Sequence, residues 1–391
     1  MRALITPEVL AWARSSANIS EDEAAHKAGV IVEKLRAWEK GSETPSLSHI
    51  RKLGIAYKRP IAVFYLPEPP KDFQPLRDFR RLPGKTYPGL SPSLLFEIRE
   101  AQSRRDVLLE LVEEGEDEPT RFDHRASLKE APEALAEKVR KVLGVSLEKQ
   151  AIRDPNQCFS FWRGLLEDQG VVVFQIADVK ETEARGFSIS ESQLPVIAVN
   201  RKDNPKSRVF TAIHEFIHIM LKTGGLCDLQ DEPDGRKPEE QGVEIFCNRV
   251  AGAVLVPENN LMSEPIVLGK GKNKTWSDDE IVKLANKYGV NREVVLRRLL
   301  IFSKTTKEFY EEKRAQYQKE YKEFAEREKK KKKKGFLPPA NDAVSALGRP
   351  YVHTVLDAFH QERLTASRVS DYLGVQFKHV SKIEALIGKH D

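Results

Sequence analysis

The sequence predicts a multidomain α+β protein. It has an all-α N-terminal module, a central region around a small mixed sheet, and a C-terminal helical segment. Three observations carry this. Short helical patterns closed by glycines fill residues 6–66. Seven of the 22 prolines crowd into 67–92, a density that makes extended, semi-rigid chain and marks a boundary. Beyond Gln157, β-branched apolar runs sit between helical patterns, an α+β layout.

In chain order, Thr6 is placed to cap a first helix, with Pro7 at the position where a missing N–H costs nothing. Ser20-Glu21-Asp22-Glu23 has the form of a capping box. It opens a helix ending near Gly29, followed by helices over about Ile31 to Lys40 and Leu47 to Tyr57. After the proline-rich stretch, Ser93 to Glu118 and Pro132 to Gln150 each read as one helix. A helix with Phe161, Trp162, Leu165 and Leu166 ends at Gly170. Val171 to Ile176, Phe187 to Ser190 and Pro195 to Val199 read as strands. Asn204-Pro205 starts a helix to about Lys222, stopped by Gly224-Gly225. Residues 226–242 read as a loop, and Glu244 begins a helix ending before Pro257. Tyr310, Tyr317 and Phe324 repeat at heptad spacing on a charged helix, a packing seam, and the run Lys329 to Lys334 reads as solvated chain. The predicted divisions are 1–66, a linker at 67–92, a helical connector at 93–154, the α+β region at 155–305, a charged helix with its lysine run at 306–335, and a small helical segment at 336–391.

Composition sets limits. The chain has 391 residues, 40% hydrophobic and 31% charged, with a net charge of +5. This permits DNA binding without demanding it. No apolar run reaches the ~18 residues of a membrane span, so no membrane partner is expected. The first residues lack the apolar core of a signal peptide. Cys158, Cys227 and Cys247 have no C-x-x-C spacing, which argues against a disulfide scaffold and a cysteine-rich zinc knuckle. A cytoplasmic, reduced protein is the expectation.

The chemistry concentrates in Ile213-His214-Glu215-Phe216-Ile217-His218-Ile219. Histidines at i and i+4 share a helix face, so both imidazoles can reach one ion. Glu215 lies about 100° round the helix from His214, which suits a general base beside the ion. Two histidines and a glutamate among apolar residues are costly to bury without a cation. A hydrolytic zinc site needs a third protein ligand. Asp228, Asp231, Glu232, Asp234, Glu239 and Glu240 fall mostly in loop; Glu244 stands on a helix whose face continues through Cys247, Asn248, Ala251 and Leu255. Those small residues would let the two helices lie close. Asn248 is the candidate to hold a ligand from behind, and Cys247 reads as a packing residue. Tyr288, Arg297 and Arg298 are candidates for stabilising an oxyanion.

The stretch Arg208 to His218, followed by Glu244 to Pro257, resembles the ImmA/IrrE metallopeptidase family. Its second helix has the form E-x-x-A-N-x-F-A-x-x-L-L-x-P. Glu244, Asn248, Ala251, Leu255 and Pro257 match, while Cys247 and Val250 replace the usual Ala and Phe. The resemblance covers about 155–305. It implies a zincin-like, gluzincin-type endopeptidase with metal ligands His214, His218 and Glu244 and base Glu215. The ion would be zinc, with manganese as the other candidate. Members cleave helix-turn-helix repressors in DNA-damage or mobile-element responses. The expected substrate is therefore a protein regulator, a repressor or antitoxin, in a stress, phage or mobile-element response. The alternative is a DNA-binding transcriptional regulator or antitoxin whose metal site is inactive or structural.

Residues 1–66 resemble the XRE type of helix-turn-helix through Ser20 to Ala25, Gly29-Val30, Leu35, Trp38-Glu39, Gly41, Pro45 and Lys52-Leu53. The second helix of such a pair enters the major groove, which would make Lys34 and Arg36 the DNA-binding residues. Against this, the module holds 10 Lys/Arg and 7 Asp/Glu, and Ile31 stands where a Ser or Thr cap is usual. Docking of a partner is the competing use. Ala25-x-x-x-Gly29-Val30, Ala285-x-x-x-Gly289-Val290 and Ser370-x-x-x-Gly374-Val375 repeat one helix–Gly–Val–helix pattern. The tail at 336–391 balances 6 Lys/Arg with 6 Asp/Glu and reads as packing or partner contact, and oligomers would form through such helical modules.

Overall fold

The computed structural model describes residues 3–70, 90–115, 118–151, 154–223, 226–227, 238–272, 274–331 and 337–388. Most of the proline-rich stretch, the acidic residues 228–237, Gly224-Gly225 and Lys332 to Lys334 lie outside them. The chain divides into two compact units, Met1–Leu76 with Gly84–Ser103, and Arg77–Pro83 with Arg104–Asp391.

The first unit contains α1 (Pro7–Ser16), α2 (Glu21–Ala28), α3 (Val32–Glu39), α4 (Leu47–Tyr57) and a 3-10 turn at Ile61–Tyr65. Ser20 caps α2 by accepting the Glu23 amide at 3.2 Å. Thr6 does not cap α1; its hydroxyl donates to the Leu66 carbonyl at 2.6 Å, pinning the end of the module to its start. Gly29, at φ 77°, turns the chain from α2 into α3 through a left-handed conformation that suits glycine. Leu10, Ala25, Leu35, Trp38, Ile50, Leu53 and Phe64 form the core of the unit. It is an all-helical pack whose small alanines let short helices close on Trp38.

The following helices are α5 (Pro92–Glu114), α6 (Pro132–Val142), α7 (Leu147–Gln150) and α8 (Pro155–Glu167). The single helix expected over Pro132 to Gln150 is two, because Gly144 takes φ 59° and ends α6. Gln150 is fully buried and joins the pieces: it accepts from Arg140 and donates to the carbonyls of Leu255 and Tyr288 at 2.7 and 2.8 Å.

Strands β1 (Val172–Ile176), β2 (Gly186–Ile189), β3 (Val196–Asn200) and β4 (Leu226–Cys227) form one mixed sheet in the order β1-β3-β2-β4. β1 runs parallel to β3, and β2 is antiparallel to both β3 and β4. The first three are buried along their whole length, as expected for short apolar runs covered on both faces. Helix α9 (Pro205–Leu221) packs on β2 and β3, with α8 and α10 (Pro238–Leu255) beside it. The helix expected to begin at Glu244 begins six residues earlier, and 226–227 is strand rather than loop.

Beyond α10 come α11 (Glu258–Met262), α12 (Pro265–Leu268), α13 (Asp278–Lys287), α14 (Arg292–Ile301) and α15 (Lys307–Lys331). Tyr310 and Tyr317 are buried along α15, the packing seam their spacing predicts. The tail forms α16 (Pro339–Leu347), α17 (Arg349–His360), α18 (Ala366–Leu373) and α19 (Val380–Ile387). It packs on the sheet at β1: Arg163 and Gln175 both donate to the Ser345 carbonyl at 2.7 Å, and Tyr351 meets Phe174 edge to face. Among the described residues, no helix is long and apolar enough to cross a membrane.

Candidate metal centre

Helix α9 carries the centre. Asn204 accepts the Lys206 amide at 2.9 Å to start it, with Pro205 in its first turn. It ends at Lys222, whose φ of 56° is left-handed, two residues before the glycines expected to stop it. Between these ends, 13 of its 17 residues are buried, so it runs through the core as the middle layer between sheet and α10. His214, Glu215 and His218 are fully buried, and Glu244 on α10 is 1% exposed.

The three predicted ligands converge. His214 Nε2 and His218 Nε2 are 3.0 Å apart, with Glu244 Oε2 3.4 Å from the first and Oε1 3.2 Å from the second. Ligands about 2.0–2.1 Å from a tetrahedral ion stand about 3.3 Å from one another, close to these separations. Among the described residues this is the one group of three or more such side chains with that geometry.

Charge fits as well. Burial lowers the His214 pKa, opposed by Glu244, so this imidazole is neutral at pH 7, the form that binds metal. Burial pushes the Glu244 carboxyl up, but the two imidazoles facing it more than reverse this and hold it below the usual carboxylate range. A buried carboxylate facing a neutral histidine calls for a cation. These residues fit a bound divalent ion.

Asn248 is 3% exposed, one turn beyond Glu244. It lies near enough to His214 to favour that ring's protonated form, yet short of a well-aligned hydrogen bond, since both its amide atoms and His214 Nδ1 lack one. Two residues escaped the sequence reading. Thr223 Oγ1 is 3.0 Å from His218 Nδ1, and Ser188 Oγ donates to Glu215 Oε2 at 2.8 Å. The signal for Ser188 was there: Gly186 and Ser188 put two small residues on one face of β2. Cys247 is buried, its thiol pushed up by burial, and it stays outside the ligand trio. Tyr288 donates to Glu264 at 3.0 Å, and Arg298 is committed to Glu133. Arg297 reaches towards α9, lying over Phe210, whose ring stacks on His214.

In the first unit, Lys34 is exposed and Arg36 is tied to Glu21 by an ion pair at 2.6 Å. Ile31 is 68% exposed at the start of α3.

Residues 166–300 match the family model Peptidase_M78, described as the IrrE N-terminal-like domain. The match lies within the span read as resembling ImmA/IrrE peptidases and includes His214, His218 and Glu244. No curated protein matches the chain. Among solved structures, a Mycobacterium tuberculosis transcriptional regulator is similar at 16% identity, with a TM-score of 0.29, over 50% of this chain and 51% of that one. The similarity spans about half the length of that regulator.

Proposed function

We propose that the chain is a gluzincin-type metallo-endopeptidase that cuts a protein regulator. The observation that carries this is the meeting of His214, His218 and Glu244 at 3.0–3.4 Å, with Glu215 beside them in the H-E-x-x-H order. His214 Nε2, His218 Nε2 and the Glu244 carboxylate would hold the ion, zinc rather than manganese by the preference of an N/O set of this size. When bound, such an ion polarises water and the scissile carbonyl. Glu215 takes a proton from that water on its carboxylate and returns it to the leaving amine.

We assign the peptide to the β4 side of the sheet. β3 is interior, between β1 and β2, and offers no edge to a peptide. Among the described residues β4 lies at the edge and pairs with Gly186 and Phe187, and this edge is the one we assign to β-augmentation. Such contacts are made to backbone and read little sequence. We assign selection of the regulator, a helix-turn-helix repressor or antitoxin of a stress, phage or mobile-element response, to the N-terminal module acting as a docking domain.

A second reading is favoured by one observation. All four site residues are 0–1% exposed, as suits a structural ion in a DNA-binding regulator. Proteomics separates the two readings. Inducing the native chain should generate fragments of a regulator that the Glu215→Gln variant does not make. Identical fragment sets from both would reject the peptidase.

A further inference from the structure

We infer that Ser188 is a positioning residue that fixes the carboxylate of Glu215; this rests on the peptidase reading above. A glutamate side chain turns about several bonds, and a general base works only if its oxygen is held where the proton is. Ser188 Oγ, fully buried on β2, donates to Glu215 Oε2 at 2.8 Å. A charge-assisted bond of this kind is roughly twice as strong as a neutral one. It holds the carboxylate against β2, where a Cβ at Gly186 would also stand 3.5 Å from Oε1.

The backbone supports this assignment independently. Ser188 reaches Glu215 because β2 lies unusually close to α9. At Gly186, two residues earlier on the same face, a Cβ would stand 2.6 Å from Thr211 Cγ2 and 2.8 Å from the Ala198 carbonyl oxygen. Only glycine fits between helix and sheet there. Thr211 is one turn before Glu215 on α9, so the notch at Gly186 and the bond from Ser188 are two parts of one close approach.

The test uses the full chain loaded with zinc and acetohydroxamic acid as probe. A hydroxamate binds a metal through its two oxygens and gives its proton to an adjacent carboxylate, so its affinity reports how that carboxylate is placed. Calorimetry is run on the native chain, Ser188→Ala, Ser188→Thr, Ser188→Val and Glu215→Gln, with zinc content measured for each. We expect unchanged zinc, about tenfold weaker binding in Ser188→Ala and Ser188→Val, and recovery in Ser188→Thr, which keeps the hydroxyl. Threonine and valine have the same shape, so this pair separates the hydrogen bond from packing if alanine impairs folding. Native-like affinity in Ser188→Val, with Glu215→Gln weakened, would overturn the role of Ser188 and leave the peptidase reading standing. Loss of zinc from the Ser188 variants would overturn it too, by making the residue part of the site's general framework. No binding by the native chain, or full binding by Glu215→Gln, would overturn the role of Glu215 itself.

Discussion

Arg298 grips Glu133 through two nitrogens, each 2.7 Å from a carboxylate oxygen. Its Nε also donates to the Val256 carbonyl at 2.9 Å, so one guanidinium joins α14 to α6 and to the end of α10. With three of its five N–H donors so engaged, and at 1% exposure, this group ties elements together, and its role is structural.

Arg298→Met should therefore lower stability without altering metal binding. Removing one partner of a buried pair costs about 3–5 kcal/mol. Glu133 keeps 35% of its side-chain exposure and can rehydrate, which reduces the expectation to about 2 kcal/mol. Urea denaturation with a parallel zinc assay checks this. Native stability combined with lost proteolysis would return Arg298 to the list of oxyanion candidates.

The sequence carried the centre of the molecule more legibly than its ties. The strands near 172, 187 and 196 and the helix with both histidines follow from apolar runs and from the Asn204-Pro205 start, all local signals. Glu244 emerged by a chain of steps: loop carboxylates make poor ligands, and small residues on its helix allow close packing. What stayed hidden depends on distant pairing. The bond from Ser188 to Glu215 spans 27 positions, and the hold of Arg163 on Ser345 spans 182. The break at Gly144 hid for another reason. Leu143 to Ser146 continues an acceptable helical pattern, and only the left-handed conformation of that glycine shows the stop.

Glu215 and Glu244 should separate cleanly under substitution. Glu215→Gln keeps the shape but cannot accept a proton, so zinc stays and proteolysis is lost. Glu244→Ala leaves two histidines, too few protein ligands for a stable zinc site. Loss of a partner behind a ligand typically costs 10–100-fold in affinity, so loss of a ligand should exceed about a hundredfold. Metal analysis after dialysis against a chelator decides, and full occupancy in Glu244→Ala would remove that residue from the ligand set.

Asn248 makes a finer prediction. Its amide and His214 Nδ1 are buried together without an aligned hydrogen bond. An ion on His214 Nε2 would fix the proton on Nδ1 and give Asn248 Oδ1 a donor to accept from. Asn248→Ala should weaken zinc binding about 10–100-fold while leaving the fold intact. Competition against a chromophoric chelator measures it. Unchanged affinity would mean that Asn248 merely fills space between α9 and α10.

The first unit supplies the last prediction, which concerns what its α3 face meets. A DNA reader would present cations there, and gripping each phosphate would steepen the fall of log K with log salt by about 0.9. Here Arg36 is engaged by Glu21. Three carboxylates, Glu21, Asp22 and Glu23, crowd the first turn of α2, where a phosphate would otherwise be welcome. Ile31 meanwhile exposes 68% of its surface, an apolar contact better matched to protein than to a sugar–phosphate backbone. Docking a protein is the use these residues favour. The full chain should bind promoter DNA from its own gene only weakly, with a salt slope that the double substitution Lys34→Ala, Arg36→Ala leaves nearly unchanged. Gel shifts across a salt series at fixed pH measure both quantities. Tight, sequence-specific binding that the double substitution abolishes, with the slope falling by about 1.8 for two lost phosphate contacts, would refute docking and move the protein towards the regulator class.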